Sequence, residues 1–444
     1  MWSAFERRAK EIADQTPDDR IRYADLLRVV AILAVVFGHW LLAHISVENG
    51  SIEAERVIAL VPETQWLTWL FQVMPVFFFV GGMANAIGWD SALERGDGFV
   101  NWLRRRARRL LWPVVPFFVF WVPMVLLLDG LGMSSEMVAL ASQAVLIPLW
   151  FLAAYLCVVT ISPLAYWLHR KIGIGAIVVF VLMAIAVDVL HRMGVPYVGW
   201  SNFVWVWGAI HQAGFFWYDQ KMPKQAWISA LVAVGGFGVL FLLTQLDGYP
   251  VSVVGTGQEG PSNNSPPSVA LLALAVGQIG LIFALRSPLE RWLEKTKVWG
   301  AVVMCGSRLM TVYIWHLTAL VVVGAAVVPT GILPETNPVD LFWWLTRIPL
   351  VGLSTLVLLV LVAVFGRFER PRTGRATSLE GWPARIKAMI GVAMTTAGLA
   401  VLVAGGLSEG GGAAGVAWAP LGGLFVGRVL LGVIGSSFLG PDKE

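Results

Sequence analysis

The sequence predicts an all-α polytopic membrane protein: a bundle of about ten core transmembrane helices, then one or two further hydrophobic segments toward the C-terminus. Three observations predict it. The 444 residues are 57% hydrophobic and only 14% charged, where a soluble domain carries roughly a quarter charged residues, and the mean hydropathy is +0.72. Apolar runs of about 20 residues, the length that crosses a bilayer, recur along the whole chain. The loops between them alternate between cation-rich and cation-poor, as the bias of Lys and Arg toward the cytoplasmic face requires.

Taken in order, the polar tail of residues 1–20 lacks the short apolar core and small-residue cleavage site of a signal peptide. The first apolar helix is therefore expected to be an uncleaved anchor. Spans are expected near 25–45, 66–86, 110–128, 142–165, 173–190, 199–218, 226–244, 269–285, 302–327 and 341–365. An eleventh lies near 388–405, and a Gly-rich stretch at 414–439 is the candidate twelfth. The tail and first turn hold Arg7, Arg8, Lys10, Arg20, Arg22 and Arg28. Arg95 and the run Arg104–Arg109 follow the second span, then Arg170 and Lys171, Lys221 and Lys224, and Arg286 to Lys297. The last basic loop holds Arg367, Arg370, Arg372, Arg375, Arg385 and Lys387, whereas the intervening loops carry only Arg56 and Arg192. This alternation runs unbroken through ten spans and puts the N-terminus in the cytoplasm.

Three regions result: a cytoplasmic tail (1–20), a membrane domain (21–370), and a cytoplasmic loop with extra hydrophobic segments (371–444) whose topology after 388 is left open. The pI near 9.1 reflects cations placed beside spans, so no nucleic-acid partner is expected. Cys157 and Cys305 sit in apolar segments and read as small buried hydrophobes; with no His-Glu-x-x-His, no metal site is expected.

The densest chemical signal is Arg28-Val-Val-Ala-Ile-Leu-Ala-Val-Val-Phe-Gly-His39. At 100° per residue, eleven residues end about 20° past three full turns, so Arg28 and His39 share a face roughly 16 Å apart along the axis. Ionisable groups in a span are functional by default, and a neutral imidazole suits general-base work on a hydroxyl. The blander alternative is a core histidine bonded to a backbone carbonyl or a neighbouring hydroxyl. His316 and Arg347 fall at a similar depth, in the outer half of the bilayer; each is a site member or a structural group. His211 reads as structural. In the basic run, Arg105/Arg108 and Arg106/Arg109 form i,i+3 pairs able to grip phosphates, although topological anchoring explains the same charges. Arg308, expected one or two turns into the ninth span, is harder to explain by snorkelling. The loop 261–268 offers Asn263 as a polar contact, or merely turn chemistry. The Trp-rich segments read mostly as interfacial belts, with Trp205 and Trp207 candidates to flank a sugar.

Five motifs in order then suggest a family. They are Arg28-x10-His39, Phe77-Phe-Phe-Val-Gly-Gly82, Arg104–Arg109, Pro148-Leu-Trp-Phe-Leu152 and Ser307-Arg-Leu-Met-Thr-Val-Tyr-Ile-Trp-His316. Over roughly residues 20–370 the chain resembles the family-3 membrane acyltransferases. Asn263–Pro267, Arg308–His316 and the Trp-rich sixth span look most like the actinobacterial branch. The resemblance implies transfer of an acyl group, most often acetyl, from cytoplasmic acyl-CoA to an envelope glycan or glycolipid hydroxyl outside the plasma membrane. Acyl-CoA, expected to be acetyl-CoA, would be a co-substrate, with no permanently bound cofactor. His39 would be catalytic with Arg28, and Arg105, Arg106, Arg108, Arg109 and Arg308 would hold the CoA phosphates. His316, Trp150, Asn263 and Arg347 are the acceptor-side candidates. The chain departs from the family in having Gly81 where Ser is usual and in its hydrophobic tail after residue 388. A transporter or flippase of an envelope lipid or saccharide is the competing reading, weakened by the lack of an internal repeat.

Overall fold

The computed structural model describes residues 2–17, 20–48, 51–257, 260–330, 338–369, 381–408 and 412–433. Arg370, Arg372 and Arg375 of the last basic loop, and the end of the candidate twelfth segment, lie outside them. An N-terminal helix α1 (Trp2–Asp14) precedes α2 (Arg22–Leu42), and paired strands β1 (Ala43–Glu48) and β2 (Ser51–Arg56) follow. Two single-turn helices, α3 (Val57–Leu60) and α4 (Thr68–Phe71), lead into α5 (Met74–Glu94). Then come α6 (Phe99–Leu111), α7 (Val114–Gly130), α8 (Ser135–Leu146), α9 (Leu149–Ile172), α10 (Ile174–Arg192) and α11 (Asn202–Tyr218). The rest are α12 (Ala226–Leu246), α13 (Val269–Ala284), α14 (Arg286–Leu293), α15 (Thr296–Gly306), α16 (Leu309–Val327), α17 (Leu341–Phe365), α18 (Trp382–Gly405) and α19 (Trp418–Leu430).

Among the described residues, eight stretches are long and apolar enough to cross a membrane, or ten if each of two bent pairs is one span. The chain is an all-α polytopic membrane protein. The structure refines several expectations. The second span lies in the apolar stretch Pro62–Glu94, whose long helix α5 starts at Met74, with Pro75 in the first turn, where its missing N–H goes unneeded. The third is bent by 43° where Trp112-Pro113 separates α6 from α7, so the arginine run occupies its own helix. Most of the expected outer loop 129–141 is helix, because Ser134 accepts the Met137 N–H and starts α8. The ninth span is divided at Ser307-Arg308 into α15 and α16. The sixth coincides with α11, which is shorter and less apolar than those ten.

The reason for its lower apolarity is burial. In α11, Asn202, Trp207, His211, Gln212 and Phe215 are all buried, so the helix faces protein and need not be as apolar as lipid requires. α19 has 13 residues, roughly 20 Å, too short to cross alone.

The chain forms two compact units. The first comprises Met1–Leu42, Arg56–Ile87 and Leu164–Leu309; the second comprises Ala43–Glu55, Gly88–Pro163 and Met310–Glu444. In the first, α5 crosses α11 at near backbone contact: a Cβ on Gly82 would collide with the His211 carbonyl, and one on Gly214 with that of Phe79. α12 meets α13 in the same way at Gly236 and Gly280. Loops that charge alternation puts on one side are found together. Lys297 pairs with Glu6 at 2.6 Å and Trp299 donates to Thr16 at 2.8 Å, while Arg192 pairs with Asp247 at 2.8 Å at the opposite end. The loop after α12 closes on the segment before α5, with Trp69 donating to Val251 O and the Val253 N–H to Thr68.

In the second unit, Gln143 donates to Ala404 O at 3.0 Å at one end. At the other, the Glu369 carboxylate accepts the Met310 and Thr311 amides, both at 3.1 Å, and the Thr311 hydroxyl at 2.6 Å. An anionic group on the first amides of α16 is the favourable partner for a helix N-terminus.

Candidate functional site

In the first unit, α2 is an uninterrupted helix from Arg22 to Leu42, so Arg28 and His39 sit on one rod. Its start is fixed by the Tyr23 hydroxyl donating to Ile282 O and by Arg20 and Arg22, whose guanidiniums lie 5.2 and 5.1 Å from the Trp299 ring centroid. Arg28 is exposed one turn further on, with its guanidinium 6.0 Å from the Phe77 ring centroid. Two of the sequence motifs thus meet: the arginine of the first span and the opening Phe of the second. Cation–aromatic contact holds the charge without neutralising it. Gly306 lies against Val29, since a Cβ there would stand 3.6 Å from the valine methyl. The α15–α16 break with Arg308 therefore passes α2 near Arg28. That corrects the expected position of Arg308, which is half-buried at a helix break rather than inside a span.

His39 is half-buried, between buried Gly38 and Trp40. Gly38 admits the Phe71 ring of α4; a Cβ would touch it at 3.5 Å. Arg56, the lone cation between the first two expected spans, lies within electrostatic reach of His39. Below it, His211 is buried and its Nε2 meets Asn85 Nδ2 at 2.9 Å, an interhelical tie between α11 and α5. Trp207 is fully buried and stacked on Phe78 at 4.4 Å, so it is core and not a sugar-flanking ring; Trp205 packs edge-on against Phe180. Asn263 is fully buried too. Its amide donates to Pro250 O at 2.7 Å and Ser252 O at 3.0 Å, and its oxygen accepts from the Ser268 hydroxyl at 2.8 Å. These bonds occupy its amide within its own loop, as turn chemistry would.

In the second unit, two other motifs meet. The Tyr313 hydroxyl donates to Pro148 O at 2.8 Å, and Phe151 packs edge-on against Tyr313. Trp150 is half-buried beside them. His316 is fully buried, with Nδ1 2.6 Å from Tyr313 O. A carbonyl oxygen can only accept, so Nδ1 is the donor in that contact. Arg347, seventh in α17, is buried; it donates to Ala43 O at 3.2 Å and lies 4.0 Å over the Trp343 ring. Trp343 in turn donates to His44 Nδ1 at 3.1 Å. A motif-led reading passes over His44 and Trp343; the available signal was a histidine two residues past the end of a span.

The basic helix α6 spreads its charges instead of pooling them. Arg105 binds Asp97 at 2.7 Å, and that hydrogen bond, helped by Arg95, holds the Asp97 carboxyl below the usual carboxylate range. Arg106 reaches Gly88 of α5, where a Cβ would strike its guanidinium, and Arg104 donates to Gly432 O at 2.9 Å. Arg108 lies 5.9 Å from the Trp112 centroid, and Arg109 is exposed. The Arg105/Arg108 and Arg106/Arg109 pairs are thus on one short helix, with Arg105 and Arg106 already engaged.

A helix bearing a cation and a half-buried histidine, within a many-span fold, defines a membrane protein with ionisable groups held inside its spans. Residues 21–366 match the family-3 acyltransferases, described as an acyltransferase domain, and the chain belongs to that family. It is a membrane acyltransferase. No curated protein and no solved structure matches the chain.

Proposed function

We propose that the protein transfers an acyl group, expected to be acetyl, from cytoplasmic acyl-CoA to a hydroxyl of an extracytoplasmic envelope glycan or glycolipid. In this reading it lies in the plasma membrane with the N-terminus cytoplasmic. The observation that carries it is α2: one unbroken helix with Arg28 near its cation-rich start and half-buried His39 near the other end.

His39 would take the proton of the acceptor hydroxyl as its oxygen attacks the thioester carbonyl. The C–O bond forms, the C–S bond breaks, and the proton passes to the departing thiolate. Arg28, Arg308 and the α6 arginines Arg105, Arg106, Arg108 and Arg109 are proposed to hold the donor's phosphates by charge-assisted hydrogen bonds. Arg347, His316 and Trp150 are the proposed acceptor-side groups, supported by two buried ionisable side chains and one half-buried indole.

The test is labelled-acetyl transfer from acetyl-CoA by purified wild type and His39→Ala, with envelope extract as acceptor. Label reaching a glycolipid or glycan with wild type alone is the expected result. A folded His39→Ala protein with full transfer activity would overturn the assignment. Substrate movement in proteoliposomes without acyl-CoA consumption would point to the transporter instead.

A further inference from the structure

The hairpin α18–α19 lies beyond the matched residues 21–366 and holds an ionisable group that the transfer reaction does not use. Its helices pack through small residues. A Cβ on Gly391 would stand 2.8 Å from Gly427 O, and one on Gly398 2.8 Å from Pro420 O. α19 ends in a Schellman motif: the Val433 N–H bonds to Arg428 O and the Gly432 N–H to Val429 O, both at 2.9 Å, with Gly432 at φ +65. Arg104 of the basic helix α6 donates to the carbonyl of that same Gly432 at 2.9 Å. A Cβ on Gly432 would stand 2.6 Å from the Arg104 guanidinium. The hairpin end is therefore tied to α6.

One turn before Gly432 is Arg428, which is only 5% exposed. Among the described residues, its Nε and Nη2 have no hydrogen-bond partner. These two nitrogens form the side-on edge of the guanidinium, the parallel N–H pair that matches two oxygens of one oxyanion. A buried guanidinium whose paired edge is unused is destabilising as it stands. Helix C-terminal carbonyls favour a cation here but do not use that edge. Gly427 and Leu431, on either side of Arg428, pack on Gly391, nine residues into α18. Arg428 is thus roughly 14 Å along the helix from the start of α18, where Arg385 and Lys387 sit.

We propose that the C-terminal hairpin carries an oxyanion site in which the Arg428 edge takes a phosphate group, from an anionic lipid headgroup or from a phosphate-bearing solute such as CoA. The cation-rich end of a membrane protein meets both. The site is separate from the transfer chemistry proposed above and is read by stability, so either idea can fail without the other.

The test is thermal unfolding of delipidated full-length protein in a phosphate-free maltoside detergent, for wild type, Arg428→Met and Arg428→Lys. One arm adds phosphatidylglycerol and another adds CoA. Without phosphate, Arg428→Met is expected to be as stable as wild type or more so. With the correct source, wild type gains several degrees, Arg428→Met loses that gain, and Arg428→Lys keeps part of it. A response to phosphatidylglycerol alone identifies the lipid, and one to CoA alone the solute. Equal shifts in wild type and Arg428→Met in both arms overturn the site. Should Arg428→Met not fold, titration of Arg428→Lys decides: apparent affinity falls about tenfold if the bidentate edge binds, and an unchanged affinity overturns it.

Discussion

The helices that carry ionisable groups differ in kind from those that only span. In α2 and α16, which hold His39 and His316, the most apolar window has a mean hydropathy of 1.9 and 1.8, with 50% and 61% of it buried in protein. In α10, α12 and α17 the values are 2.5, 2.2 and 2.7, with 28%, 22% and 17% buried. α11, dense with buried polar side chains, is not among the candidate spans at all. Across these helices lower hydropathy goes with more burial, because a group facing protein can find its hydrogen bonds there, whereas the stretch Ser135–Ile172 is both apolar (2.4) and 67% buried. Asp188 on α10 is one exception, buried and accepting from the Tyr249 hydroxyl, and Arg347 is the more instructive. It lies on the most lipid-exposed of these helices, yet it is buried, on the one stripe of α17 that also buries Trp343, Leu350, Ser354 and Leu358.

The largest effect that would sharpen this contrast is on activity. His39→Ala on α2 should lower transfer about 10²- to 10⁴-fold, the span of general acid–base contributions, while Leu182→Ala on the exposed face of α10 leaves it unchanged. Initial rates with labelled acetyl-CoA, normalised to folded protein, measure both. Comparable losses at the two positions would mean that the difference between the helix classes has no bearing on chemistry.

Next comes stability. Gly82→Ala places a methyl against the His211 carbonyl between two protein-facing helices and should cost about 1–3 kcal/mol or more. Gly235→Ala on α12 meets nothing within 4 Å and should be neutral or stabilising by up to about 1 kcal/mol. Denaturation midpoints of the two variants have opposite expected signs.

Much of this division could be read from the residues, and the part that could not has identifiable causes. Apolar run length and loop charge located nearly every span, because lipid imposes them on each helix separately. They located α11 as well, at 199–218 against Asn202–Tyr218, and failed at the α15–α16 break, which no Pro or Gly pair announces beyond Gly306-Ser307. The Arg28–His39 spacing needed only helix periodicity, and the helix proved continuous. Asn263 stayed open between a polar contact and turn chemistry for the opposite reason. A polar residue in an outer loop looks available until its partners, Pro250 O and Ser252 O more than ten residues upstream, are in place.

That loop supplies the next prediction. Asn263→Ala removes two donors and an acceptor from a buried site, at a cost of roughly 1–3 kcal/mol. The expected signature is a lower unfolding midpoint, with the acceptor KM of the remaining folded protein unchanged. A raised acceptor KM without loss of stability would return Asn263 to the acceptor side.

The smallest expected effect separates anchoring from binding in the basic helix α6. Asp97 occupies Arg105, and its carboxyl is held below the usual range. A depressed folded value means that the pairing is fully present above the unfolded carboxyl range, near pH 4, and is lost as pH falls through the still lower folded value. At neutral pH Arg105 is therefore engaged, and only substitution releases it. If Arg105 contributes to holding the donor, Asp97→Asn should lower the acyl-CoA KM about two- to fivefold, the scale of one exposed ion pair, with kcat unchanged. The decrease should shrink at high salt, which screens both the pair and the donor's phosphates. An unaltered KM across that range would leave Arg105 as a topological anchor.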